Sequence, residues 1–133
     1  MLLLVTPLLL AYGYEFPRAA PQATLPIVLV SIVVSVVNGI AEELLWRGAY
    51  PAVFPDSIWW GYLYPTVGFA VWHFAPQSVF PNPRPGATLS LVVAAGIVGL
   101  MWGWVAYKTK SIRRTTLSHI LFDVSGLGGR VYF

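Results

Sequence analysis

Apolar residues fall into five blocks along this chain, parted by short clusters of proline, glycine and charge. Residues 1–12 are apolar but too few to cross a bilayer, which takes about 20 helical residues. They lack the basic start of a signal peptide. They read as part of a helix cut by the start of the chain, or as a segment lying on the membrane surface. Residues 13–24 carry Glu15, Pro17, Arg18 and Pro21, and read as a polar loop. The second block predicts a helix from Leu25 or Pro26 to about Tyr50, where Pro51 ends or kinks it. Its many Val and Ile residues would favour strand in water. In lipid the backbone must satisfy its own hydrogen bonds, and helix wins. Pro55-Asp56-Ser57 predicts a turn, with Ser57 placed to cap the next helix.

The third block predicts a helix over 58–75, with Pro65 inside it and Pro76 ending it. Trp59, Trp60, Tyr62 and Tyr64 crowd its first half, as at a headgroup interface. Residues 77–86 hold Pro81, Pro83 and Pro85 and predict a stiff loop. The fourth block predicts a helix over 87–107. Ala95, Gly99 and Gly103 recur every fourth residue along it, a spacing that lets a neighbouring helix come close. A short last helix covers 115–124, before Gly126, Gly128 and Gly129. The expected fold is an all-α, polytopic transmembrane bundle of about four principal helices. A partial N-terminal segment (1–24) precedes the core (25–133).

Composition agrees. Of 133 residues, 57% are hydrophobic and 10% charged, and mean hydropathy is +0.70. Soluble domains carry about 25% charged residues, so the expected partner is the lipid bilayer. A net charge of +3 on so few ions does not suggest nucleic acid. The basic residues Lys108, Lys110, Arg113 and Arg114 cluster instead. They place the 108–114 loop on the cytoplasmic side and the proline-rich loop on the other. The chain has no cysteine, which excludes disulfides, thiolate ligands and a cysteine nucleophile.

The candidate chemistry lies where charge is most costly. Three of the five acids and both histidines sit in apolar stretches. They form Glu42-Glu43-x-x-x-Arg47, Phe69-x-x-x-His73 and His119-x-x-x-Asp123. A charged side chain at the centre of a membrane helix costs roughly 2.5–3.5 kcal/mol even on the gentler scales. Glu43 and Arg47, four apart, can pair. Glu42 points about 100° away and suits a general base facing a pocket. Asn38, one turn before Glu42, either lines that pocket or simply packs. Glu42, His73, His119 and Asp123 can thus meet in one cavity. Counting at about 1.5 Å per residue from the cytoplasmic ends spreads them over roughly 10–15 Å of depth.

Two chemistries fit. A carboxylate and a histidine can deprotonate water while the second histidine and its neighbour stabilise an oxyanion. Alternatively Glu42, His73 and His119 can hold zinc with one position open for water. A non-catalytic reading uses the same polar groups to hold the bundle together. A polar transport path would need a continuous polar face, which residues 87–107 do not offer.

In order and in arrangement, one per helix, the three motifs resemble those of the CPBP family, the CAAX proteases and bacteriocin-processing enzymes also called the Abi family. The resemblance spans about residues 25–126 and includes Arg47-Gly48 after the paired glutamates. It implies an intramembrane endopeptidase of a prokaryotic plasma membrane. The substrate would be a peptide or protein, prenylated or membrane-bound. By that resemblance Glu42 is the principal catalytic carboxylate, with Glu43 and Arg47 in support. His73 orients the water, and His119 with Asp123 binds the oxyanion. Zinc is implied if the enzyme is metal-dependent, and no cofactor if it is glutamate-dependent. The third motif ends in Asn or Asp in the family. With Asp123 here, the carboxyl must be protonated or must act by orienting His119, because an ionised carboxylate cannot donate. The rival reading is a non-catalytic membrane protein, a bacteriocin self-immunity factor or a partner-binding scaffold.

Overall fold

The computed structural model describes residues 1–80 and 85–132. Pro81 and Pro83 of the expected stiff loop lie outside the described residues. Those described form helices and turns, with no strand among them. The α-helices are α1 (Leu2–Leu10), α2 (Phe16–Ala19), α3 (Leu25–Glu42), α4 (Tyr50–Val53), α5 (Tyr64–Trp72), α6 (Phe74–Val79), α7 (Ala87–Thr109) and α8 (Arg113–Ser125). Three π-helical segments among the described residues, Ala11–Glu15, Glu43–Ala49 and Trp59–Leu63, join some of these end to end. Two of the described runs are long and apolar enough to cross a membrane: Leu25–Val53, mean hydropathy 2.1, and Ala87–Thr109, mean hydropathy 2.0. The chain forms two compact units, Met1–Glu43 with Ile112–Phe133, and Leu44–Ser111.

The first unit is built inside out. Along α3 the buried positions are Ile27, Ser31, Ser35, Gly39 and Glu42. Leu29, Val33, Val37 and Ile40 point outward. A helix that hides its small and polar face and displays its aliphatic one belongs in lipid, where backbones approach through small residues. The C-terminal 3₁₀ segment Gly128–Tyr132 uses this face. Gly129 donates its N–H to Ser31 Oγ at 2.8 Å, and Ser31 donates to Ile27 O at 2.7 Å. A Cβ on Gly129 would run into Ile27 O and come within 2.9 Å of Ser31 N. Beside this contact Leu127, at φ +48°, packs with Ala19 and Ile27. α8 also lies on α3. A Cβ on Gly39 would sit 2.9 Å from Ile120 Cγ1. On the other flank of α8, Tyr12 donates its hydroxyl to Leu121 O at 3.0 Å.

In the second unit α5 packs on α7 through the small residues singled out above. A Cβ at Gly99 would lie 3.2 Å from the Phe69 ring, and one at Gly103 3.2 Å from Thr66 Oγ1. Ser57 caps as expected, accepting the Trp60 N–H at 3.2 Å.

The prolines act on the register of the helices that carry them, for one physical reason. The helix beginning at Leu25 does not stop near Tyr50 but runs to Val53. Residues 13–24 are not a loop either, since helical turns continue to Gln22. Each π segment ends two residues before a proline: Glu15 before Pro17, Ala49 before Pro51, Leu63 before Pro65. In an α-helix, proline removes the bond to the carbonyl four residues back, and its ring strikes that carbonyl. A π turn bonds five residues back instead and widens the coil. Phe16 N–H reaches Ala11 O and Tyr64 N–H reaches Trp59 O in this way. The wider turn accommodates the ring and the helix goes on. At Pro76 the break comes earlier, at His73, and Pro76 sits in the first turn of α6, where its missing N–H costs nothing. Gln77 to Val79, expected in loop, are therefore helical.

The Gly129 contact carries a stability prediction. Gly129→Ala should lower the stability of detergent-solubilised protein by about 1–3 kcal/mol, because backbone atoms must shift. At Gly128 an added Cβ would meet nothing within 4 Å. Gly128→Ala should therefore stay within about 0.5 kcal/mol of wild type. Thermal unfolding of both variants measures the difference.

Candidate active site

The first unit gathers four of the expected residues around one imidazole. α3 ends at Glu42, and Glu43 opens the π segment. Glu43 itself keeps α geometry, its N–H on Gly39 O, so the wider turns do not separate the directions of the two carboxylates. α8 supplies His119 and Asp123, one turn apart. His119 Nδ1 lies 3.0 Å from Glu43 Oε1. Its Nε2 lies 3.5 Å from Glu42 Oε2 and 3.7 Å from Asp123 Oδ1. Glu43 is fully buried, and His119 and Glu42 nearly so, at 3% and 8% exposure. The depth spread counted along the helices does not keep these groups apart. Gly39, one turn before Glu43, brings α8 against α3 at Ile120, the residue after His119.

The chemistry of this arrangement follows from who can donate. An ionised carboxylate only accepts, so His119 gives its Nδ1–H to Glu43. In the singly protonated ring, Nε2 is then an acceptor. In the doubly protonated ring, it is a donor aimed between Glu42 and Asp123. One further side chain, assigned above either to pocket or to packing, belongs to the cluster. Asn38 donates Nδ2–H to Asp123 Oδ2 at 3.2 Å. The Asp123 carboxyl thus faces His119 with one oxygen and Asn38 with the other.

Arg47 and His73 belong to the second unit, where Phe69 links them. The Arg47 guanidinium lies over the Phe69 ring, 3.8 Å from its centroid, a cation–π contact. His73 meets the same ring edge-on at 4.7 Å between centroids. Phe69 is itself 2% exposed, backed by Gly99 of α7. The reason for Phe in Phe-x-x-x-His is thus visible: it supports a cation on its face and an imidazole at its edge. His73 also occupies the turn between α5 and α6. Its N–H bonds Ala70 O at 3.2 Å, three residues back. The Phe69 carbonyl, which that N–H would serve in an α-helix, instead faces His73 Nδ1 at 2.8 Å. A carbonyl can only accept, so Nδ1 carries the proton and Nε2 presents a lone pair. Glu43 and Arg47 lie four apart on π-helical turns, which keep such residues on one face as α turns do, and the Glu43 carboxylate bonds His119.

The zinc expectation named Glu42, His73 and His119. Imidazoles fixed through Nδ1 on an acceptor are the form that zinc takes through Nε2. Among the described residues no group of three or more His, Cys, Asp or Glu side chains is arranged to hold a metal ion.

The match to a known family decides the identity. The family model described as Type II CAAX prenyl endopeptidase Rce1-like matches residues 24–125. The chain belongs to this family. The matched span contains all three motifs. With the two apolar helices, membership makes this Rce1-like chain a membrane protein, and it implies CAAX-type intramembrane protease activity on a peptide or protein substrate. No curated protein and no solved structure gives a significant match.

The His119–Glu43 contact is directly testable. Glu43→Gln replaces a charge-assisted hydrogen bond with a neutral one inside the unit. It should cost about 1.5–3 kcal/mol of stability. It should also shift the ¹⁵N resonance of His119 Nδ1, whereas Glu15→Gln should change neither.

Proposed function

We propose that this protein is an intramembrane endopeptidase that hydrolyses a peptide bond with water activated by Glu42 and His73. The observation that carries this reading is the buried Glu42–His119–Glu43–Asp123 cluster in a chain of the CAAX endopeptidase family. Glu42 takes a proton from water, and the water oxygen attacks the scissile carbonyl carbon. His73, protonated at Nδ1 by its bond to Phe69 O, accepts the water's other hydrogen at Nε2 and sets its orientation. The carbonyl π electrons move to oxygen. His119 meets that oxyanion by donating from Nε2 when doubly protonated, and Asp123 keeps the ring oriented through its Oδ1. On collapse the C–N bond breaks, and the Glu42 proton passes to the leaving amine. Glu43 holds His119, and Arg47 with Phe69 supports His73.

This places water activation and oxyanion binding on different histidines. Both rings are fixed by an acceptor at Nδ1, a carboxylate for one and a backbone carbonyl for the other. The bilayer setting, a prokaryotic plasma membrane with the 108–114 loop cytoplasmic, belongs to the same proposal. So does a substrate that is prenylated or membrane-bound.

The test is cleavage of fluorogenic prenylated and unprenylated peptides by purified protein in detergent. Glu42→Gln should lower kcat by about 10²–10⁴, the range of a general base, with the fold retained. Activity should persist in a strong chelator. Loss in chelator with recovery on adding zinc would replace the glutamate mechanism with a metal-dependent one. A folded wild type that cleaves nothing would favour the scaffold or immunity role.

A further inference from the structure

We propose that Asn38 is a catalytic residue: its side-chain amide donates the hydrogen bond to the developing oxyanion that Asp123, as a carboxylate, cannot give. The inference rests on the protease reading and assigns a role within it to a residue outside the three motifs. Asn38 precedes Glu42 by four residues, so the two lie on neighbouring turns of α3 on the same face. Its Nδ2 is 3.2 Å from Asp123 Oδ2. Asp123 Oδ1 is 3.7 Å from His119 Nε2, and that nitrogen is 3.5 Å from Glu42. Asn38 therefore stands at the acid-rich end of the cluster, tied to it through one carboxyl group.

The chemistry of that tie fixes which way the amide points. A carboxylate accepts and never donates, so the amide nitrogen faces Asp123 and the amide oxygen turns away. An amide nitrogen carries two N–H groups. Asp123 takes one and orients the other. A tetrahedral intermediate needs neutral or cationic donors placed in advance. His119 meets that need only in its doubly protonated form, whereas Asn38 meets it as a neutral amide whenever Asp123 is ionised. An Asn at position 123 would supply such a donor itself. With Asp there, the donor moves one residue along the hydrogen-bond chain to Asn38, and Asp123 becomes the acceptor that holds it.

A double-variant experiment on the purified full chain tests this with the same fluorogenic peptides. In the wild-type background Asn38→Ala should lower kcat by about 10²-fold or more, as removal of one oxyanion donor does, with KM changed by less than about threefold. In an Asp123→Asn background, where position 123 carries its own amide, Asn38→Ala should cost less than about tenfold. Asn38→Leu, close in size and at home in a membrane helix, should repeat both results. Equal losses in both backgrounds, or no loss in either, would overturn the assignment and leave Asn38 a packing residue. Retained activity in the Asp123→Asn, Asn38→Ala double variant would also establish that the chain folds without Asn38. If neither the wild type nor Asp123→Asn cleaves any peptide, the protease reading falls and this inference falls with it.

Discussion

A carboxylate buried in an apolar helix bundle must be given a partner or must give up its charge, and here His119 is such a partner. Glu43 is fully buried and takes His119 Nδ1 at 3.0 Å. Breaking such a pair from one side leaves an uncompensated charge and costs several kcal/mol. The pairing therefore fixes the relation of α8 to α3. The imidazole is oriented by Glu43 before anything else is considered. Nε2 is then brought to Glu42 and Asp123 by the geometry of a flat ring. Three acids around one base form a proton-handling group whose position is set by helix packing.

Packing of that closeness depends on what α3 leaves out. Ser31, Ser35 and Gly39 recur every fourth residue on its buried face. Each removes side-chain volume where α8 or the C-terminal turn must approach. Larger residues at these positions would force the two helices apart. A hydrogen bond stretched much past 3.5 Å is no longer one, so a small displacement would detach His119 from Glu43. The aliphatic residues of α3 contribute differently, by facing lipid. The second unit repeats the device with Ala95, Gly99 and Gly103 of α7. There the close approach supports Phe69, and Phe69 in turn supports Arg47 and His73.

Much of this is legible in the sequence, and the parts that are not share a cause. The long helices, the capping Ser57 and the packing role of Gly99 and Gly103 follow from spacing and hydropathy, whereas the meeting of Glu42, His119 and Asp123 is only one of the arrangements that the three motifs allow. The path of the chain at its prolines does not. The rule that proline ends a helix assumes α register, and three times here a π turn precedes the ring and lets the helix continue. Nothing in composition distinguishes Pro51, which the helix passes, from a terminating proline. The π turns from Glu43 to Ala49 are equally hidden from composition, although residues four apart such as Glu43 and Arg47 share a face in either register. Ser31 and Ser35 are concealed among Val and Ile, although their spacing matches that of Gly99 and Gly103.

The wider turns begin at the second of the paired acids without redirecting it. π turns recur at functional sites, and this one begins at Glu43, the second of two adjacent acids. In a regular α-helix every residue repeats the same rotation, so the sequence alone would set the directions of Glu42 and Glu43. That holds here: Glu43 lies at φ −66°, ψ −40° with its N–H on Gly39 O, so the adjacent carboxylates diverge by about 100°. Glu42 keeps the face it shares with Asn38, and Glu43, one residue on, turns its carboxylate to His119 Nδ1.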